Sequence, residues 1–163
     1  MNLFFEESGE FKAGQIIGQA GEAFQVELPS GKRVKVRGKD VLFQFSSDEP
    51  AGLLASARQT AESIDLDFLW EVAGEDEFDY ISLGQEYFGH EPEPEESAAL
   101  LIRLHSAPMY FYRKGKGRYK GAPEKALKAA LAGIEKKRQQ AVIQQLALVL
   151  VAVEALTVGH PLH

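Results

Sequence analysis

Five cations crowd the stretch MYFYRKGKGRYK that runs from Met109 to Lys120: Arg113, Lys114, Lys116, Arg118 and Lys120. Tyr119 stands among them, Tyr110 and Tyr112 precede them, and no acid interrupts the run. Cations attract phosphate and aromatic rings stack on bases, so these residue types together suit a nucleic acid. The plainer alternative is a solvated hairpin that is basic for solubility. Aromatic-rich arms favour strands, and Gly115-Lys116-Gly117 permits a tight turn. The pattern predicts a β-hairpin with arms at residues 109–113 and 118–121. Alternation along the first arm places Tyr110, Tyr112 and Lys114 on one face and Met109, Phe111 and Arg113 on the other, with Phe111 buried.

A second basic patch, Lys32, Arg33, Lys35, Arg37 and Lys39, lies near the start of the chain. Here Val34 and Val36 alternate with the cations, which implies a strand with one buried and one wet face. The net charge of −6 conceals this sorting. Residues 48–96 hold 15 acids and one base, Arg58, whereas residues 113–138 hold 10 bases and two acids. A basic face on an otherwise acidic chain predicts salt-dependent binding to a polyanion.

Other chemistries find little support. There is no cysteine, which excludes disulfides and thiol catalysis. His90 and His105 are far apart in sequence, and His160 and His163 sit in the tail. The cluster Glu75, Asp76, Glu77 and Asp79 reads as a solvated turn and helix start, where acids favour the dipole, rather than as a metal site. No catalytic residue and no metal site is expected in this chain. The first residues lack the basic start and apolar core of a signal peptide, and no apolar run reaches the roughly 18–20 residues of a membrane span. A cytoplasmic setting with no membrane partner is the expectation.

The elements that must hold the cations follow from pattern. Residues 1–46 contain five short runs rich in Val, Ile and Phe, punctuated by glycines, which predict a small antiparallel β-barrel. Pro29-Ser30-Gly31-Lys32 is the turn before the basic strand. Residues 47–123 then read as helix from 51 to 64, a short helix from 66 to 73 capped by Asp65, a third from about 80 to 88, and a fourth from near 94 to 106, ahead of the hairpin. Trp70 is expected to anchor a core. That order is winged-helix-like, although the helix before the hairpin opens with Pro94, Glu95 and Glu96 and holds one cation, Arg103. Residues 124–163 are predicted to form a long helix with Ala126, Leu127, Ala130, Leu131 and Ile134 on its stripe, followed by an apolar tail, Leu146 to Val153. The fold class is therefore α+β.

Four stretches carry a resemblance to a known family: residues 1–15 (MNLFFEESGEFKAGQ), 27–36 (ELPSGKRVKV), 64–74 (IDLDFLWEVAG) and 108–123 (PMYFYRKGKGRYKGAP). In that order they resemble the amino-terminal, pre-catalytic region of bacterial RNB-domain exoribonucleases, the ribonuclease II and ribonuclease R family, over about residues 1–140. The resemblance implies hydrolysis of RNA from its 3′ end, one nucleotide at a time, with magnesium held by aspartates of an RNB domain that would follow the long helix. No stretch here matches that catalytic motif. The resemblance thus implies an accessory region that binds and positions RNA, with the RNB domain as a partner in cis. A DNA-binding winged-helix regulator and a protein-interaction or autoinhibitory module are the alternatives.

Overall fold

The computed structural model of the chain describes residues 1–158. It is an α+β protein in two units, Met1–Ala122 and a second that begins at Pro123. In the first unit, β1 (Asn2–Glu7), β2 (Glu10–Ala20), β3 (Ala23–Glu27), β4 (Arg33–Val36) and β5 (Val41–Phe45) form one antiparallel sheet. The strand order is β4-β3-β2-β1-β5, so β4 and β5 are its two edges. No ladder joins those edges, and the sheet stays open where sequence pattern predicts a barrel. Closure needs every strand paired on both sides. The four residues of β4 pair only with β3, as Arg33, Val34, Lys35 and Val36 opposite Glu27, Val26, Gln25 and Phe24.

β1 explains why the sheet folds as it does. Its residues are buried on both faces. Leu3 and Phe5 join Phe24, Val26 and Val36 in one core, with Ile16, Leu28, Val34 and Val41 packed around them. Phe4 points the other way and stacks on Phe43 and Phe11, at centroid distances of 4.9 and 5.6 Å. Burying each such side chain contributes roughly 1.5–3 kcal/mol. Gly14 permits the close crossing of β2 and β3, because a Cβ there would lie 2.5 Å from Val26 Cγ1 and 2.7 Å from Glu27 O.

The helical half of this unit comprises α1 (Pro50–Glu62), α2 (Leu66–Ala73), α3 (Tyr80–Phe88) and α4 (Pro94–Ser106). Local signals start all four, and Pro50 opens α1. Asp65 accepts from the amides of Asp67 and Phe68, Asp79 accepts from Ser82 N, and Pro94 opens α4. α4 is the interior helix: Ala98, Ala99, Leu100, Leu101 and Leu104 are buried, and Ser106 is its one exposed residue. Phe11 of the sheet meets His105 of α4 edge-on at 5.2 Å, which joins the two halves.

The hairpin follows as β7 (Phe111–Gly115) and β8 (Arg118–Gly121), its first arm two residues later than predicted. A bulge between Arg113 and Gly115 interrupts the β7–β8 ladder. The acidic stretch also departs from expectation. It holds a third strand, β6 (Glu77–Asp79), which pairs with β8. Trp70 is half-buried, and its Nε1 donates to Ala122 O at 2.8 Å, fixing the end of the hairpin to α2. In the second unit, α5 (Glu124–Val158) is a single helix of 35 residues, so the apolar run continues it.

Candidate nucleic-acid interface

The pairing of β6 with the hairpin decides which hairpin residues face outward. Cross-strand rows run Glu77–Lys120–Tyr112, then Phe78–Tyr119–Arg113, then Asp79–Arg118–Gly115. Neighbouring rows point to opposite faces. The middle row faces in: Tyr119 is 1% exposed, and Phe111 packs edge-on against Phe78 at 6.1 Å. Phe111 is buried as expected. Tyr119 corrects the sequence expectation, because a ring within the core offers no surface to a base. Tyr110 is buried too, and its hydroxyl donates to Asp67 Oδ1 at 2.8 Å. Burial, with that carboxylate beside it, raises the Tyr110 pKa. Of the three tyrosines named for stacking, Tyr112 alone is exposed, at 38%, with Lys120 as its row neighbour.

Three of the five hairpin cations are engaged by carboxylates from other elements. Arg113 donates to Glu6 Oε2 on β1, and Glu6 is itself buried. Lys116 pairs with Asp40 in the 3₁₀ turn Gly38–Asp40. Arg118 Nε donates to Glu77 Oε1 on β6 at 3.1 Å. Lys114 and Lys120 form no ion pair among the described residues.

Glu6 and Tyr119 are buried under the hairpin, and the partly exposed Arg113 reaches Glu6 from its edge. Burial pushes the Tyr119 hydroxyl up to about 12; the Glu6 charge adds to this and the Arg113 charge opposes it. Among the described residues, Tyr119 Oη and Glu6 Oε1 have no hydrogen-bond partner. The tip of the hairpin is held separately. Tyr80 N donates to Gly117 O at 2.9 Å, and Tyr80 Oη donates to Leu42 O at 3.0 Å. Gly117 has φ 75°, and a Cβ there would touch the Tyr80 ring at 3.0 Å, so the turn requires glycine. Burial, then the Asp79 charge, pushes the Tyr80 hydroxyl up to about 12.

The edge strand presents a different picture. Lys32, Arg33, Lys35, Arg37 and Lys39 are all exposed, and none makes an ion pair among the described residues. Val34 and Val36 turn inward, as the alternation predicts. Lys35, Arg37 and Lys39 line an open groove of about 450 Å³ with Ala20, Glu22, Ala23 and Gly38. The Lys116–Asp40 pair brings the hairpin tip to the turn that bears Lys39, so the two basic patches named from sequence adjoin there. Lys32 and Arg33 lie at the far end of β4.

No family model, curated protein or solved structure matches the chain. Among the described residues, no three His, Asp or Glu side chains converge as a metal would require. Glu77 and Asp79 have other partners, Arg118 and the first turn of α3. The three clamping carboxylates and strand β6 are the features that sequence pattern did not reveal. Their partners lie 41 to 107 residues away, and no local signal marks them.

Proposed function

We propose that this chain is the RNA-binding, RNA-positioning accessory region of a 3′–5′ exoribonuclease of the RNB family, with no catalytic centre among its own residues. The observation that carries the binding half is the free cationic strip Lys35, Arg37 and Lys39 beside an open groove, adjoining the hairpin tip. Unpaired exposed cations supply the counterion-release term that dominates nucleic-acid affinity. Lys114, Lys120 and the exposed ring of Tyr112 extend the path along the outer face of the hairpin, where Tyr112 provides a stacking surface. The family half rests on the four stretches of resemblance. They coincide with β1 and β2, the β3–β4 turn, α2 with its caps, and the hairpin, which are the elements that build and flank this face.

The order of helices followed by a hairpin supports a winged-helix-like reading of residues 47–123, with the hairpin as wing. It does not support groove reading by α4. That helix is interior, and its one arginine, Arg103, donates to Ile64 O at 3.0 Å. Single-stranded RNA is thus the better ligand than duplex DNA. Anisotropy of a labelled oligouridylate at rising salt tests the proposal. The expected result is binding at low salt that weakens linearly in log–log form. Absence of binding at low salt would overturn it, and equal affinity after Lys35, Arg37 and Lys39 are all changed to Ala would overturn the edge strand as its grip.

A further inference from the structure

The most exposed apolar surface of the protein lies on the C-terminal half of α5. Val142, Ile143, Leu146, Leu148, Val149, Leu150, Val151, Val153 and Leu156 are between 46% and 75% exposed. Such a surface on a water-facing helix implies a cover. Two features identify the cover.

The first is its circumference. Val142, Leu146, Val149, Val153 and Leu156 recur at spacings of four and three, which is the seam of a helix pair. A second copy docked on that seam would leave Ile143, Leu148, Leu150 and Val151 in water. Those four are 62–71% exposed and occupy the remaining faces. Eight consecutive apolar residues, Leu146 to Val153, leave no polar face at all. A helix that is apolar all round suits a medium that surrounds it.

The second is charge. Lys136 and Lys137 stand just before the apolar run with no ion pair among the described residues, Arg138 beside them is held by Glu135 at 2.7 Å, and Gln139, Gln140, Gln144 and Gln145 grade into the run. Beyond it the only charge up to residue 158 is Glu154, near the far end. Cations at one end of an apolar helix match the anionic surface of a membrane leaflet. Residues 141–157 rise by about 26 Å at 1.5 Å per residue, close to the roughly 30 Å of a hydrocarbon core. The apolar run alone is too short to span. As part of one continuous helix, it belongs to a segment long and apolar enough to do so.

We infer that the C-terminal half of α5 is buried in a lipid bilayer, with Lys136 and Lys137 at the headgroups. The test is flotation of the full chain, synthesised in the presence of vesicles of phosphatidylcholine alone or phosphatidylcholine with phosphatidylserine. The wild-type chain is expected to float with both, and the anionic vesicles capture it roughly tenfold better. The pair Leu148→Asp and Val151→Asp should leave the chain at the bottom with both vesicles. Lys136→Glu with Lys137→Glu should abolish only the preference for the anionic vesicles. Circular dichroism and anisotropy of labelled RNA confirm that each variant keeps its folded first unit. A wild-type chain that stays at the bottom, whether monomer, dimer by light scattering or aggregate, overturns the inference, as does flotation of the aspartate variant at the wild-type level.

Discussion

On the hairpin, Arg113, Lys116 and Arg118 each meet a carboxylate from another element: Glu6 on β1, Asp40 in the 3₁₀ turn and Glu77 on β6. On β4 and the residues after it, Lys35, Arg37 and Lys39 meet none among the described residues. Both regions have the composition of a polyanion site. A phosphate approaching β4 displaces only counterions, whereas one approaching the clamped cations of the hairpin must compete with a bound carboxylate. Basic composition alone therefore overstates the hairpin and understates the edge strand. The clamps also have a structural use: Glu6 and Asp40 fasten the short three-stranded sheet to its surroundings, and Glu77 ties two of its strands together.

The largest effect is expected where the clamp is buried. Glu6→Ala leaves Arg113 without its partner and Tyr119 beside a void. Arg113 is 40% exposed and stays solvated, so the loss is that of a buried hydrogen bond and of the space Glu6 fills, and no charge is stranded. Chemical denaturation should show a loss of about 2 kcal/mol, while Glu77→Ala, at an exposed pair, loses under about 1 kcal/mol. Equal losses would mean that the two clamps do not differ as their burial implies.

Tyr119 supplies a related test through pH. Its pKa is raised from 10 to about 12 in the folded state, so the folded chain retains a proton that the unfolded chain has lost in that interval. Stability is fully present below pH 10 and declines as pH rises towards 12. The decline is on the order of 2 kcal/mol for this group, and Tyr80 adds to it in the same direction. Tyr119→Phe should flatten part of the curve and leave RNA affinity unchanged, because the ring is buried. A loss of RNA affinity in that variant would return Tyr119 to the interface.

For binding, changing Lys35, Arg37 and Lys39 together to Ala should weaken oligouridylate affinity by about thirtyfold and reduce the salt slope by about two. Tyr112→Ala should cost about tenfold or less, with little change in slope, since stacking is not an ionic term. If the triple variant instead matches wild type and Lys114→Ala with Lys120→Ala abolishes binding, the hairpin is the main grip after all.

Much of this was legible in sequence wherever the signal is local. Asp65, Asp79, Pro94 and the hairpin glycines mark element ends within a turn of themselves, and α2, α3 and α4 begin where these signals predict. The alternation of β4 correctly separates Val34 and Val36 from the cations. What sequence could not supply is pairing between distant segments. β6 is strongly acidic and only three residues long, and it is a strand because β8 offers it a ladder. That ladder fixes the row Phe78–Tyr119–Arg113 as the inner face, which buries Tyr119 and leaves Tyr112 outside. The open edge of the sheet is likewise a matter of which strands meet, and hydrophobic period says nothing about that.

The mildest test concerns Arg118, the most exposed of the clamped cations. Its side chain is 53% exposed and that of Glu77 45%, so the pair contributes little to stability in water. Its effect on binding is nevertheless predictable. While Glu77 holds the guanidinium, a phosphate gains only a shared charge, and Arg118→Ala should lower RNA affinity by less than about twofold. Glu77→Gln removes the competitor and keeps the strand pairing of β6, which uses backbone groups. It should raise affinity by a similar factor and steepen the salt slope by about 0.7, the value of one added phosphate contact on a single strand. The double variant should match Arg118→Ala alone, since losing the carboxylate at position 77 frees no cation once Arg118 is gone. If Arg118→Ala alone costs as much as Lys35→Ala, a carboxylate at 3.1 Å does not mask a cation on this surface, and the hairpin and edge strand are electrostatically alike.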